Sequence, residues 1–413
     1  MVSIRAGTLA YGAVTLLTFL PRTALSYPAY SLAPLALVRA RDWVPVQIPL
    51  LLFLTCAFAV NTLTANVSGT VAVLEYALCL AFLIGAFGAG PDRRWIDPTT
   101  LIRLFQLVIA ATSLVSLIRM GFPFRLPYVH FLPDYYYATF GLGGARIVTL
   151  FGFAGLVCEL RQRGLGRRMR RGFLLLAAIN FLMPNYLIGI LAGIAGLSCY
   201  ALRRPVKAAV VLALLLALIG FYLSFRLQTV STTFAQLFGL HPKVYQFVLI
   251  ARMFDDAPLT LWIGGGIGQY GGQAALWTSH LTAELSSFSV PQLPGMFTPE
   301  YHERYLQAVM ATFLQDIWAI SSSSNKPYSS ITVLLAEFGL PFTALVLGMI
   351  TYRFVIAPRD LPMAAFGLFA LTLMLVDRVH DLPWFGLLLI AVNGLARPQA
   401  RALPRTWPAS VPA

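Results

Sequence analysis

The sequence predicts an all-α, polytopic membrane protein with about twelve transmembrane helices and a large extracytoplasmic loop between helices nine and ten. Hydrophobic residues make up 58% of the chain and charged residues only 11%, which is about half the charged fraction of a soluble domain. The apolar residues form continuous runs, which suit helices and do not alternate as barrel strands do. One long, mostly polar segment, residues 225–329, separates two blocks of these runs.

Twelve apolar runs are predicted as membrane-spanning helices. They are residues 8–20, 25–38, 46–64, 69–90, 101–118, 143–160, 172–184, 186–202, 206–224, 330–352, 362–376 and 384–396. The first run resembles a secretory signal, and we interpret it as an uncleaved span because its retention makes the charge pattern consistent. Residues 172–202 form either two short helices broken at Pro184-Asn185 or one long kinked helix.

Lysine and arginine in the short loops orient the chain. One side receives Arg39, Arg41, Arg93, Arg94, the run Arg161–Arg171, Arg203, Arg204, Lys207, Arg353, Arg359 and the tail from Arg397 to Arg405. We predict that this side is cytoplasmic and that both termini lie there. The predicted parts are helices one to nine (1–224), the large outer loop (225–329), helices ten to twelve (330–396) and a cytoplasmic tail (397–413).

The net charge of +14 comes mainly from arginines at helix ends, so it favours contacts with anionic lipid over binding of nucleic acid. The four cysteines lie in apolar runs, where each is a small buried hydrophobe. All five histidines fall on the predicted outer side, and neither they nor the cysteines show the spacing of a metal site or a disulfide framework. The sequence therefore predicts no metal site and no cofactor.

Two outer segments are long enough to fold. The shorter, residues 119–144, contains Tyr135-Tyr136-Tyr137, which we interpret as interface anchors, with stacking against sugar rings as the alternative. The longer is predicted to contain helices at 241–254 and from Glu300 to Ile320, separated by a glycine-rich turn at 264–272. Glycine allows positive φ, so the amides of this turn either cradle an anion or close a tight turn.

Five arginines near predicted outer helix ends are candidates to bind an anionic substrate: Arg125, Arg146, Arg226, Arg252 and Arg378. An arginine buried in or near a membrane requires an anionic partner, and guanidinium matches the oxygens of phosphate. The alternative for each is an internal ion pair, such as Arg378 with Asp377 or Asp381, or a side chain that reaches the lipid headgroups.

Transfer of a group to a hydroxyl requires a general base within hydrogen-bond reach of the acceptor. The candidates on the predicted outer side are Glu337, Asp316 and His302, which lie near span mouths or on a predicted helix. Spacing alone does not choose among them. Glu337 lies about two turns inside the tenth span, where an unpaired charge is costly.

Three features together resemble the O-antigen polymerase and ligase (Wzy/ligase) superfamily. They are the predicted topology, Arg252 followed by Pro258-Leu-Thr-Leu-Trp-Ile-Gly-Gly-Gly-Ile-Gly, and Leu334-Leu-Ala-Glu-Phe-Gly-Leu-Pro at the tenth span. The resemblance implies a metal-independent glycosyltransferase of the bacterial inner membrane that polymerises undecaprenyl-diphosphate-linked oligosaccharide on the periplasmic face into an exopolysaccharide or O-antigen. It also implies no cofactor, and as partners the lipid carrier, membrane lipid, a chain-length regulator and a flippase.

By position, Arg252 is similar to the family's arginine before the glycine motif, and Arg125 or Arg146 to those of the shorter loop, which hold the diphosphate. Tyr328 replaces a histidine of the ligases, and Asn185-Tyr186 replaces the Ser-Arg common at the eighth span. These departures favour a polymerase over a ligase. The alternatives are ligase-like glycan transfer and a flippase or transporter of lipid-linked oligosaccharide, although the sequence shows no matching halves and scarcely any charge in span centres.

Overall fold

The computed structural model describes residues 34–35, 38, 40–91, 97–119, 144–161, 166–184, 186–202, 239–240, 242–278, 297–315, 328–357 and 360–396. Within these residues the chain is nearly all helical, and the one extended pairing is an isolated antiparallel bridge between Val38 and Pro91. The all-α fold class is confirmed. The predicted spans 8–20 and 206–224 and most of 25–38 lie outside the described residues.

The helices of the described residues are numbered here in chain order. They are α1 Ala40–Thr64, α2 Gly69–Ala86, α3 Pro98–Arg119, α4 Gly144–Arg161, α5 Arg167–Leu182, α6 Leu187–Leu202, α7 Pro242–Asp256, α8 Thr260–Ile263, α9 Gln273–Thr278, α10 Gln307–Gln315, α11 Ser330–Ile350, α12 Leu361–Val376 and α13 Pro383–Ala396. Two π-helical segments, His302–Leu306 and Thr351–Ile356, adjoin α10 and α11. Each predicted span within the described residues coincides with one of these helices.

Four helical stretches of the described chain are long and apolar enough to cross a membrane: Val44–Thr64, Gly69–Ala86, Pro98–Val115 and Ser330–Ile356. Three shorter stretches, Gly189–Ser198, Leu361–Val376 and Trp384–Ala396, are also apolar. The surface of α1 exposes large apolar side chains, including Ile48, Leu52 and Leu63, as a helix facing lipid does. The chain is therefore a membrane protein by its helices, while the count of twelve spans stays a prediction.

Glycines set the close packing of the bundle, as is usual between helices in lipid. A Cβ added to Gly152 of α4 would lie 2.4 Å from the backbone nitrogen of Phe181 in α5. A Cβ on Gly386 of α13 would lie 2.5 Å from the backbone nitrogen of Phe82 in α2.

The chain turns at Pro184, between α5 and α6. The 172–202 region therefore forms two helices, which is the first of the two predicted alternatives.

Helix α11 begins at a capping box formed by Ser329 and Thr332, and it is broken near its middle. Gly339 has φ 78° and ψ 173°, and Pro341 follows it. A proline has no N–H, so the break leaves the carbonyls of Ala336 and Glu337 without helical donors. The glycine-rich turn supplies them instead: Gly265 N–H donates to Ala336 at 2.7 Å and Gly266 N–H donates to Glu337 at 3.1 Å.

The links between helices gather at two ends. The loop end contains residues 64–69, the turn at 264–272 and residues 377–382; here Ser68 N–H donates to Gln269 Oε1 at 2.9 Å. The arginine end contains residues 86–91, 161, 351–357 and 360–361; here Arg353 Nη2 donates to the carbonyl of Gly88 at 2.7 Å. Of the arginines predicted to share one side, Arg161 and Arg353 lie at the arginine end, and which end faces the cytoplasm stays a prediction.

Candidate functional site

The loop end holds a set of ionisable side chains that we call the buried charge cluster. Its four carboxylates are completely buried and its three cations are at most 8% exposed: Glu75, Glu337, Asp377, Asp381, Arg146, Lys243 and Arg378. These side chains come from α2, α4, α7, α11 and the 377–382 link, so only the folded bundle brings them together. Charges buried in this way require partners, and the partners are internal.

Glu337 is held by the glycine-rich turn. Its carboxylate accepts hydrogen bonds from the backbone N–H groups of Gly268 at 2.8 Å, Tyr270 at 3.3 Å, Gly271 at 3.0 Å and Gly272 at 2.8 Å. Successive amides of this kind form an anion-binding concavity. Both sequence interpretations of the turn therefore apply, and the anion that it cradles is the chain's own carboxylate.

Asp377 joins three elements. Its carboxylate lies 3.4 Å from Arg146 Nη1 and accepts hydrogen bonds from the Tyr186 hydroxyl and the Arg378 N–H, both at 2.7 Å. Its carbonyl accepts the N–H of Ser330 at 3.0 Å, at the start of α11. For Arg146, the structure shows the internal ion pair that the sequence left as the alternative to substrate binding.

Arg378 is also occupied by internal groups. Its guanidinium lies 3.0 Å from the Asp381 carboxylate, donates to the Gly271 carbonyl at 3.0 Å and contacts the side chain of Gln273. The Tyr328 ring lies 4.5 Å from the guanidinium carbon, within cation–π distance. Tyr328 and Tyr186 thus both contact the buried charge cluster.

Lys243 belongs to the cluster although the sequence did not single it out. Its ammonium donates to the carbonyl of Val376, at the end of α12. Burial lowers the pKa of Lys243 to about 8, and Arg146 contributes in the same direction, while Asp377 opposes it. Its place directly after Pro242, at the start of a predicted helix, was the signal available in the sequence.

The remaining predicted residues do not join the cluster. Arg252 lies on the exposed face of α7 and makes no hydrogen bond or ion pair with the described part of the chain. His302 is buried, its Nδ1–H donates to the Tyr270 carbonyl at 2.7 Å, and burial lowers its pKa. Arg125, Arg226 and Asp316 lie outside the described residues.

An open cleft of about 320 Å³ lies at the loop end, between the end of α1, the α7–α8 link and the π-helical segment before α10. Its lining includes Asn61, Asp256, Glu300, Tyr301, Arg304 and Tyr305. The two tyrosine rings are nearly parallel, with centroids 6.5 Å apart. The Tyr305 hydroxyl donates to Asp256 at 2.7 Å, and Arg304 lies 3.1 Å from the same carboxylate.

The sequence missed this cleft because its walls come from three distant segments. The spacing of Tyr301 and Tyr305, four residues apart on a predicted helix, was the readable signal, since such residues share one helix face. Arg252 is not among the residues that line the cleft, but it lies one helical turn before Asp256, which is, so the two side chains share one face of α7.

A second arrangement was also invisible in the sequence. Three atoms that can bind a metal lie within 4.8 Å of one another: a carboxylate oxygen of Glu75, the sulfur of Cys79 and a ring nitrogen of His380. All three side chains are buried. Burial lowers the pKa of His380 to about 4. No metal-ligand spacing is visible in the sequence, because His380 lies far along the chain from the other two.

The fold and these sites define a helical membrane protein with a buried charge cluster at one end and an open, polar and aromatic cleft beside it. No family model, curated protein or solved structure matches this chain.

Proposed function

We propose that this protein polymerises lipid-diphosphate-linked oligosaccharide repeat units into a surface or secreted polysaccharide, and that the cleft binds the glycan. The observation that carries the proposal is the cleft itself, with two parallel tyrosine rings and several polar side chains on its walls. Aromatic faces stack on the apolar faces of sugars, and carboxylates and amides bind sugar hydroxyls. The exposed Arg252 is the cation beside it that we propose to meet the diphosphate.

In this proposal the two arginines of the buried charge cluster have a structural role and do not bind substrate. Arg146 and Arg378 already face Asp377 and Asp381, so they position the links that build the site. Arg252 is exposed, and a guanidinium is suited to stabilise the charge that grows on a leaving diphosphate. Arg125 and Arg226 stay further candidates by their place in the sequence.

We propose Glu300 as the general base. Asp256 is already paired with Arg304 and Tyr305, and Glu337 is enclosed by four amides, whereas Glu300 lines the cleft and accepts one backbone N–H, that of Asn66 at 3.0 Å. In the transfer, Glu300 takes the proton of the acceptor hydroxyl as its oxygen bonds to the anomeric carbon. The bond from that carbon to the diphosphate breaks, and its electron pair leaves with the diphosphate. Asp316 stays the alternative base by position.

The test is Arg252→Ala in cells that make the polysaccharide. We expect polymer growth to stop while single repeat units accumulate on the outer face, because the leaving group loses its cation. The matched control is Arg168→Ala, since Arg168 is an exposed arginine on α5. Polymer length is measured by gel electrophoresis and protein level by immunoblot. Full-length polymer in Arg252→Ala at normal protein level would remove the proposed role of Arg252.

A transporter of lipid-linked oligosaccharide is the second candidate, favoured by one observation. Helix α11 is broken at Gly339, and the buried Glu75 and Glu337 lie inside predicted spans. Broken helices and buried ionisable groups are typical of transport sites. Deletion distinguishes the two functions: loss of a transporter leaves repeat units on the inner face, whereas loss of a polymerase leaves single units on the outer face.

A further inference from the structure

The place where α2 meets the 377–382 link brings together three kinds of metal-binding atom. Glu75 and Cys79 are one helical turn apart on α2, and the Cys79 sulfur lies 3.2 Å from Glu75 Oε1. A ring nitrogen of His380 completes a triangle whose donor atoms all lie within 4.8 Å of one another. An ion at the centre of such a triangle reaches all three atoms with small side-chain movements.

His380 provides an independent sign of a ligand. The ring is completely buried, and neither Nδ1 nor Nε2 has a hydrogen-bond partner among the described residues. Buried polar atoms are almost always hydrogen-bonded, and one left alone costs about 1–3 kcal/mol. The Phe82 ring packs edge-on against the imidazole, with the two ring centroids 5.9 Å apart. A metal ion would give one of these nitrogens a partner, because an imidazole nitrogen can donate its lone pair to a metal in place of accepting a hydrogen bond.

Acidic side chains outnumber basic ones around this triangle. Among the described residues, the buried charge cluster has four carboxyl groups and three basic groups. A buried carboxyl group without a cation beside it holds a proton, and a bound metal ion takes the place of that proton.

We propose that Glu75, Cys79 and His380 bind a divalent transition-metal ion that ties α2 to the link between α12 and α13. Carboxylate oxygen, thiolate sulfur and imidazole nitrogen together select zinc over magnesium or calcium, which prefer oxygen alone. The N–H of Ala274 donates to Glu75 Oε2 at 2.7 Å and orients that carboxylate. Binding releases the thiol proton of Cys79 to solvent. The ion is structural and takes no part in the transfer step proposed above.

Metal content tests the site. The full chain is purified through a tag without histidine, incubated with zinc, freed of excess and analysed by elemental mass spectrometry. We expect about one zinc per chain, and at limiting zinc an occupancy at least about tenfold lower in Cys79→Ser, His380→Gln and Glu75→Gln. Cys158→Ser is the matched control, because Cys158 is also a buried cysteine beside a glutamate, Glu159. This variant protein should bind as much zinc as the unaltered chain.

Cobalt distinguishes a direct ligand from a residue that only supports the fold. Cobalt-loaded protein should show a thiolate-to-cobalt charge-transfer band that Cys158→Ser keeps and Cys79→Ser lacks. Monodisperse full-length protein without bound metal at saturating zinc would overturn the proposal, and so would a metal content unchanged in Cys79→Ser. Should the variants fail to fold, the cobalt spectrum of the unaltered chain decides by the presence or absence of the thiolate band.

Discussion

Two ion pairs at opposite ends of the bundle, Arg161–Asp360 and Arg378–Asp381, are buried to different depths. At the arginine end, Arg161 lies 2.5 Å from Asp360, and these side chains keep 26% and 21% of their surface exposed. At the loop end, Arg378 lies 3.0 Å from Asp381 with 3% and 0% exposed. The Arg161–Asp360 pair lies near water, whereas the Arg378–Asp381 pair is enclosed by the helices around it.

This difference teaches which arginines are available to a ligand. A cation that already faces a buried carboxylate must give up that partner before it can bind a diphosphate, and breaking a buried pair is expensive. An exposed cation such as Arg252 has no such requirement. The number of arginines at one end of a membrane protein therefore overstates its capacity to bind anions unless their internal partners are known.

The largest expected effect is the loss of a charge at the loop end. Asp377→Asn keeps the size of the side chain but leaves Arg146 without its carboxylate, so we expect about 3–5 kcal/mol less stability. Asp360→Asn, which removes a partly exposed partner of Arg161, should lose only about 0–1 kcal/mol. Unfolding in detergent micelles with increasing denaturant measures both. Equal losses at the two ends would contradict the comparison.

The next effect is a pH dependence confined to the loop end. Burial lowers the pKa of Lys243 to about 8 in the folded chain, below its ordinary value of 10.5. The unfolded chain then binds more protons between these values, so stability rises with pH from about 8 to 10.5, by up to roughly 3 kcal/mol. Lys243→Met should remove this rise, as measured by unfolding at several pH values. A rise of the same size in the variant would assign it to other groups.

Helix positions were readable from the sequence, because a membrane helix satisfies its own backbone and leaves a run of apolar residues as its signal. Each predicted span among the described residues is a helix, and the helix predicted at 241–254 is found at Pro242–Asp256. The helix predicted from Glu300 to Ile320 begins where expected, and its predicted end lies outside the described residues. The break in α11 at Gly339 was not predicted, although Gly339 and Pro341 were visible in the motif. A glycine and a proline permit a break but do not require one.

The candidate site was less predictable, for a physical reason. The sequence named Arg146, Arg378 and Glu337 because charge near a membrane needs a partner, and the structure brings all three into one cluster. For Arg378 it offered Asp377 or Asp381 as the partner, and the structure shows Asp381. It did not show that Asp377 pairs with Arg146 or that the amides of the glycine-rich turn hold Glu337, since these contacts depend on which helices touch. The cleft and the Glu75, Cys79 and His380 group arise from the same long-range packing.

Two glycines of α11 compare a strained position with a free one. At Gly339 the φ of 78° disfavours any other residue, and an added Cβ would lie 2.7 Å from the backbone of Trp262. We expect Gly339→Ala to lose at least about 2 kcal/mol of stability and to loosen the glycine-rich turn. Gly348, nearer the arginine end, has open space around it, so Gly348→Ala should be neutral or stabilise by about 0.5–1 kcal/mol. Hydrogen exchange at residues 264–272 measures the loosening; unchanged exchange in Gly339→Ala would show that the turn does not depend on this break.

The smallest expected effect concerns one hydroxyl in the cleft. Tyr305→Phe removes the hydrogen bond to Asp256 and should lower stability by about 0.5–1.5 kcal/mol. The ring stays, so binding of an oligosaccharide through stacking should weaken far less than in Tyr305→Ala, as measured by titration calorimetry. Tyr352→Phe at the arginine end is the matched control. Tyr352 is 59% exposed, so removal of its hydroxyl should cause no measurable loss of stability. If Tyr305→Phe and Tyr305→Ala weaken binding equally, the cleft recognises its ligand through the hydroxyl and not through the ring face, and the stacking role of the two tyrosines is wrong.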